Sequence, residues 1–246
     1  MSTSQPLSQQ LLAPDVRAVS VDIFDTVLLR NTKPEHLRFR QIASRWAEHL
    51  RAAGKACSPD DLYFARLRAA HVAYRTAEMV QWNREAKFDH ILNLTCHAAR
   101  IDPSHAPTLR RIEVDYEKDN LAPNRPLVDL LRTARTRGKK VVYISDMYLS
   151  GADVAELIAH HIPDSPFDAG FLSSDIGLTK RGGLLFDHVC AALNLPPAEV
   201  FHLGDSRHAD VEMPVKHGLR ALHTPRPASW QRVRSFRERL TPKPRV

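Results

Sequence analysis

Five short apolar segments, 16–24, 141–145, 170–173, 200–203 and 219–223, constrain most what this chain can fold into. Most are rich in Val, Ile, Leu or Phe and too short for helices, so strands are predicted at all five. Helical patterns alternate with them at 126–137, 151–160, 183–193 and 208–217. The first of these runs into Gly138, which suits the position just past a helix end. Strands and helices alternating through short connections predict an α/β core, a Rossmann-like parallel sheet with helices on both faces.

The segment 31–120 breaks that rhythm. It carries no strand pattern and several helical ones. Ser58-Pro59-Asp60-Asp61 is a helix start, with serine as cap, proline in the first turn and acidic residues beside the positive end of the dipole. Leu62, Leu67, Ala70 and Tyr74 then mark an apolar face. An all-helical cap domain is therefore expected at 31–120, inserted into a discontinuous core of 14–30 and 121–224. The charged cap residues Arg66, His71 and Arg75 are read as a solvent face, with cleft lining as the alternative. The termini, 1–13 and 225–246, are expected to be flexible or peripheral. In the tail, Trp230, Val233 and Leu240 lie near one face of a short basic helix that would dock back on the core; a protein partner or a membrane surface is the minor alternative.

Composition narrows the setting. The 246 residues are 43% hydrophobic and 26% charged, and no stretch reaches the ~18 apolar residues that span a bilayer. The polar, uncharged first ten residues are read as a disordered lead-in rather than a signal peptide. Cys57, Cys96 and Cys190 are far apart and odd in number, giving neither zinc spacing nor a disulfide framework. Such cysteines fit a reducing cytoplasm. The formal net charge of +7 gathers around Arg132–Lys140 and in the tail. It suits an enzyme that attracts anionic substrates, and nucleic acid is not expected as a partner.

Four elements carry chemistry. Val19-Ser20-Val21-Asp22-Ile23-Phe24-Asp25-Thr26 is an apolar strand running into two carboxylates and a threonine. Val141-Val142-Tyr143-Ile144-Ser145-Asp146 ends in a hydroxyl and a carboxylate. Lys180 follows a strand and a glycine-containing loop; Val200-Phe201-His202-Leu203-Gly204-Asp205 ends in a carboxylate, with Asp210 five residues on. The carboxyl ends of parallel strands meet at one sheet edge, so these groups are predicted to converge there. Such a set suits phosphoryl transfer. Asp22 can attack phosphorus and form an aspartyl-phosphate. A magnesium ion held by Asp22 and Asp205 would relieve the repulsion between carboxylate and phosphate. Lys180 and Ser145 would hold the phosphoryl oxygens. Asp146 and Thr26 complete the candidate phosphate-binding set, Thr26 by holding its loop.

The same elements in the same order resemble the four motifs of the haloacid dehalogenase superfamily. The resemblance implies Asp22 as nucleophile, Ser145 and Lys180 as phosphate ligands, and Asp205 with Asp210 as supports of magnesium, joined by the backbone carbonyl of Phe24. The insert resembles that family's C1-type helical cap. The phrases around Asp22, Ser145 and Asp205 are similar to a branch that accompanies surface-polysaccharide genes, which implies a small sugar- or nucleotide-linked phosphate as substrate.

One departure stands out. Phosphatases of the superfamily carry a second Asp two residues after the nucleophile, as general acid; here that residue is Phe24, and the spare carboxylate is Asp25. Asp25 is the candidate replacement. A structural hydrogen bond to its own loop is the equal alternative, and a good leaving group would remove the need for an acid. Two rival functions stay open: a metal-independent dehalogenase, which also has an aromatic residue at this position, and an impaired domain that binds a ligand or partner. Among the thirteen histidines the close groupings are His160-His161 and His202 with His208; a surface or solvated role is expected of them over a metal site, with substrate contact as the alternative for His208. Arg30 reads equally as an anion ligand or a solvated hinge residue.

Overall fold

The computed structural model describes residues 6–80 and 82–241. Helix α1 (Leu7–Leu11) precedes strands β1 (Ala18–Val21) and β2 (Leu28–Arg30). Next come helices α2 (Glu35–Ala52) and α3 (Pro59–Thr76), strands β3 (Met79–Val80) and β4 (Asn83–Arg84), and helices α4 (Phe88–Ala98) and α5 (Ala106–Asn120). Then follow β5 (Leu121–Pro123), α6 (Arg125–Thr136), β6 (Lys140–Ser145), α7 (Gly151–His161), β7 (Ala169–Leu172) and α8 (Ser173–Ile176). The last elements are α9 (Leu184–Leu193), β8 (Val200–Gly204), α10 (Met213–Lys216), β9 (Arg220–His223) and α11 (Ala228–Leu240).

Every residue of β1 and of β8 is buried, as expected of strands covered on both faces. The main sheet has the order β7-β6-β1-β8-β9 and is parallel throughout. These are the five predicted strands. The chain builds outward from β1 through β6 and β7, then returns to add β8 and β9 on the other side. That reversal opens a crevice at the carboxyl ends of β1 and β8, where open α/β sheets bind ligands.

Side chains alternate across the sheet and make two cores. Ala18, Val142, Ile144 and Val200 face α9, packing with Leu185, Phe186 and Val189. Val19, Val21, Val141, Tyr143 and Leu203 belong to a larger cluster, which runs through Leu28 into the helical segment and includes Ile42, Trp46, Leu62 and Ile91.

That segment holds four long helices. The Ser58 hydroxyl accepts from Asp61 N–H at 3.0 Å and starts α3 where predicted. The buried face of α3 is nevertheless wider than the expected one. Leu62, Tyr63, Ala65, Arg66, Ala69 and Ala73 are buried, and the predicted Leu67, Ala70 and Tyr74 pack partly buried against the same cluster. The small alanines let neighbouring helices approach closely, and Arg66 lies one turn above Leu62 on that face. Its guanidinium is 1% exposed and donates to Glu113 Oε1 at 3.0 Å, so it is no solvent residue. His71 and Arg75 are exposed. The segment is also not purely helical, because β3 and β4 form a small antiparallel hairpin. Strands two residues long carry no readable period.

β2 and β5 pair antiparallel where the chain leaves and rejoins the core, with Arg30 opposite Leu121. Neither terminus is loose where described. Leu11 is fully buried, and Lys139 Nζ donates to the Ala13 carbonyl at 2.7 Å. In the tail, α11 attaches through Trp230 Nε1, 3.1 Å from the Arg30 carbonyl, and Arg234 Nη1, 2.7 Å from the Lys33 carbonyl. Val233 and Leu240 do not join that contact and stay exposed. The expected flexibility of 1–5 and 242–246 lies outside the described residues. Among those described, no helix is long and apolar enough to cross a membrane.

Candidate active site

The last buried residues of β1 deliver Asp22 to the crevice. Its N–H donates to the Leu203 carbonyl at 2.8 Å, which extends the pairing of β1 with β8 by one residue. The chain then folds back tightly: the N–H groups of Val27 and Leu28 both donate to the Ile23 carbonyl, at 2.9 and 2.8 Å. Asp25 takes the left-handed conformation this turn demands, with φ +63°, a region that aspartate enters more readily than most residues. The Thr26 hydroxyl donates to Asp22 Oδ2 at 3.2 Å, so Thr26 holds the nucleophile candidate itself.

Ser145 ends β6 and is buried. Asp146 follows it, and its two oxygens accept the backbone N–H groups of Lys180 and Arg181, at 2.7 and 3.1 Å. This pins the Lys180 loop to the end of β6. Arg181 stays exposed while Lys180 turns inward, 3% exposed. Lys180 Nζ lies 2.5 Å from Asp22 Oδ1 and 2.7 Å from Asp210 Oδ1.

Gly204 ends β8 under Asp210. A Cβ on Gly204 would stand 2.2 Å from Asp210 Cγ, so only glycine admits the carboxylate there. Asp210 sits in a π-helical turn, His208–Glu212, and accepts the Ser206 N–H at 2.9 Å. Such irregular turns often mark functional sites. Asp22, Asp205 and Asp210 bring carboxylate oxygens within 4.8 Å of one another.

Three carboxylates thus crowd around one ammonium. Burial pushes Asp22 up to about 7, with Asp210 and Asp205 adding to the rise against the pull of Lys180. Burial, Asp25 and Asp210 raise Asp205 to about 6. Burial would raise Asp210 too, but Lys180 and the His202 hydrogen bond outweigh it and hold Asp210 below its ordinary value. Lys180 is stabilised as a cation by Asp22 and Asp210 despite its burial. The set is all-oxygen and retains surplus negative charge, which fits a hard divalent cation such as magnesium.

His202 departs from the surface role expected of it. It is fully buried in β8, with one ring nitrogen 2.8 Å from the Ser20 hydroxyl and the other 3.1 Å from Asp210 Oδ1. It orients Asp210 from below. The signal was a histidine inside an otherwise apolar strand, a position that exposes no side chain when both sheet faces are covered. His208 is exposed and pairs with Glu212 at 3.1 Å.

Asp25 faces different partners from Asp22. Its Oδ1 accepts the Arg30 N–H at 3.1 Å and lies 3.4 Å from Arg226 Nη1, a cation of the tail. The Arg30 guanidinium stacks over the Phe24 ring, 4.2 Å from its centroid, and reaches Glu117 Oε2 at 3.4 Å. Arg38 Nη1 donates to the other oxygen of Glu117 at 2.7 Å. Arg30 is therefore neither a free anion ligand nor solvated; it ties the β1 loop to α5.

A family model for haloacid dehalogenase-like hydrolases matches residues 16–218. No curated protein sequence matches the chain. Among solved structures, a 2-haloacid dehalogenase from Pseudomonas syringae pv. Tomato DC3000 superposes with a TM-score of 0.57 at 14% identity, covering 85% of this chain and 86% of that one. A defluorinating L-2-haloacid dehalogenase gives 0.53 at 18% identity, with 84% and 81% covered. A Bacillus subtilis protein described as a HAD-hydrolase, solved bound to magnesium, gives 0.50 at 15% identity, with 83% and 86% covered. At these identities the likeness is one of fold. Four motifs on the right strand ends, a matching sheet and a family match over most of its length agree, and the chain belongs to the haloacid dehalogenase-like hydrolases.

Proposed function

We propose that this hydrolase is a magnesium-dependent phosphatase acting through an aspartyl-phosphate on a small phosphorylated metabolite, sugar- or nucleotide-linked. The carboxylate cluster of Asp22, Asp205 and Asp210 carries the reading, because three buried or half-buried acids against one lysine call for a cation.

Asp22, Asp205, Asp210 and the Phe24 carbonyl would hold magnesium, which when bound neutralises surplus charge and draws electron density from a phosphoryl oxygen. Asp22 attacks phosphorus as the bond to the leaving oxygen breaks. Water then attacks the phosphorus of the aspartyl-phosphate, releasing phosphate and restoring Asp22. Lys180 and Ser145 bind the non-transferring oxygens, and Thr26 and Asp146 position Asp22 and Lys180. Asp25 accepts hydrogen bonds from two arginines, an arrangement that suits an anchor of its loop better than a proton donor. A leaving group that departs without protonation, as in an acyl phosphate or phosphoanhydride, follows from that placement. The helical segment 31–120 would act as the cap, of C1 type, closing over the site to exclude bulk water. The free cysteines, two of them buried, suit work in the cytoplasm, and the wider kinship we favour is with enzymes of surface-polysaccharide assembly.

Dehalogenation is the rival that Phe24 favours. Phosphate and halide release from phosphorylated metabolites and 2-haloacids, each with magnesium or with chelator, separates the two. Magnesium-dependent phosphate release that vanishes in Asp22→Asn is expected; halide release persisting in chelator would replace this reading with the rival.

A further inference from the structure

The tail holds charge and apolar surface that the hydrolase site does not use. Residues 225–246 contain seven Lys and Arg against one Glu, six of the formal +7 of the whole chain. Within α11, Val233, Phe236 and Leu240 are 44%, 58% and 65% exposed. Three- and four-residue spacing places these three on one stripe of the helix. At 100° per residue Arg237 borders the stripe on one side, and Arg232 and Arg239 border it on the other. The helix is attached by a different edge, through Trp230 and Arg234. An isolated apolar residue on a surface needs no explanation, but a stripe edged by arginines has a use.

We infer that α11 is a docking face for an anionic phospholipid surface, with Val233, Phe236 and Leu240 entering the acyl boundary and the flanking arginines meeting the headgroups. This combination defines helices that lie in a membrane interface. Beside the stripe, a groove of about 540 Å³ between α2 and α11 repeats the pattern, with Leu37 and Leu240 as apolar floor and Lys33, Arg40 and Arg237 as cations. A second copy of the chain fits poorly, since its tail would bring a further excess of positive charge. Nucleic acid would answer the arginines and leave the apolar stripe without a function. The helix lies along the surface and does not cross it, in keeping with its 13 residues.

The test is co-sedimentation of the full-length chain with vesicles of neutral phosphatidylcholine, or of phosphatidylcholine with phosphatidylglycerol. Two triple variants are compared, Val233→Ser with Phe236→Ser and Leu240→Ser, and Arg232→Ala with Arg237→Ala and Arg239→Ala. The wild type should pellet with anionic vesicles and remain in solution with neutral ones. Each triple variant should lower that partition by about tenfold or more, with an unchanged circular dichroism spectrum. Failure to pellet with either vesicle overturns the inference. So does undiminished pelleting of the apolar triple variant, which would reduce the face to a general polyanion or acidic-protein site; retention on heparin would then accompany it.

Discussion

Asp22 and Asp205 are held uncharged longer in the fold than in the unfolded chain. Burial raises them to about 7 and about 6, above the ~3.9 of a free aspartate. A carboxylate with a raised pKa stabilises the fold fully below its unfolded pKa and loses that contribution as pH rises through its folded pKa. The metal-free protein should therefore lose the contribution of this pair between about pH 4 and 7. Burial lowers His202, which opposes the trend below its ordinary value, so the comparison is made against Asp205→Asn, which retains His202. Thermal melts in chelator should show a steeper fall toward pH 8 in the wild type than in the variant. Magnesium should raise the melting temperature more at pH 8 than at pH 5.5, because fewer protons are displaced. An equal magnesium shift at both pH values would remove the cation from this cluster. Asp25 makes a second residue-scale case. Asp25→Asn should cost less than the ~10²-fold that loss of a general acid brings, measured as kcat on a sugar phosphate, whose alkoxide leaving group needs a proton. A larger loss confined to kcat would restore Asp25 as the acid. At this scale the sequence was most legible where a polar residue ends an apolar strand. Asp22, Ser145 and Asp205 stand out that way as candidates, whereas Lys180, after a glycine-containing loop, and Asp210, five residues beyond Asp205, are read from chain order. His202 was missed because a histidine inside an apolar strand was read as a surface residue, although both faces of β8 are covered.

Elements were legible in proportion to their length and regularity. The five core strands emerge as apolar runs, and the start of α3 as a capped, proline-led turn. The hairpin of β3 and β4 and the pairing of β2 with β5 were not seen, since two or three residues carry no period. The face of α3 is wider than the predicted one, because Tyr63, Arg66 and three alanines are buried beside Leu62, while Leu67, Ala70 and Tyr74 pack at its edge. Arg66 joins α3 to α5 through Glu113, and the Tyr148 hydroxyl, from the loop after β6, donates to the same carboxylate at 2.7 Å. Removing one partner of a buried pair leaves a charge without compensation and costs about 3–5 kcal/mol. Arg66→Ala should lower the unfolding free energy by that amount in urea titrations. Replacing Arg66 and Glu113 together by Met and Leu should recover most of it. A single-variant cost below about 1 kcal/mol would show the pair to be solvated, as surface pairs are.

At the scale of the whole molecule, the proposed division into core and cap, read from rhythm alone, is crossed by one apolar cluster. The larger apolar cluster holds Val19 and Val21 of the sheet, Leu28 at the crossing, and Trp46 and Leu62 of the helical segment. Sequence could not show this continuity, because it depends on which helix faces the sheet, and that is set by contacts far apart along the chain. Unfolding the helical segment alone would strip cover from the sheet side of the cluster, so the two parts should lose structure together. Trp46 is fully buried and Trp82 is 92% exposed, so with the half-buried Trp230 of the tail replaced by Phe the change in tryptophan fluorescence reports chiefly on the helical segment. Far-UV circular dichroism reports on the whole chain. In urea the two probes should give coincident transitions. Leu28→Ala, at the fully buried crossing point, should cost about 2–5 kcal/mol and move both midpoints to the same extent. A fluorescence transition that precedes the dichroism change, or that alone responds to Leu28→Ala, would establish the helical segment as a separately folding unit.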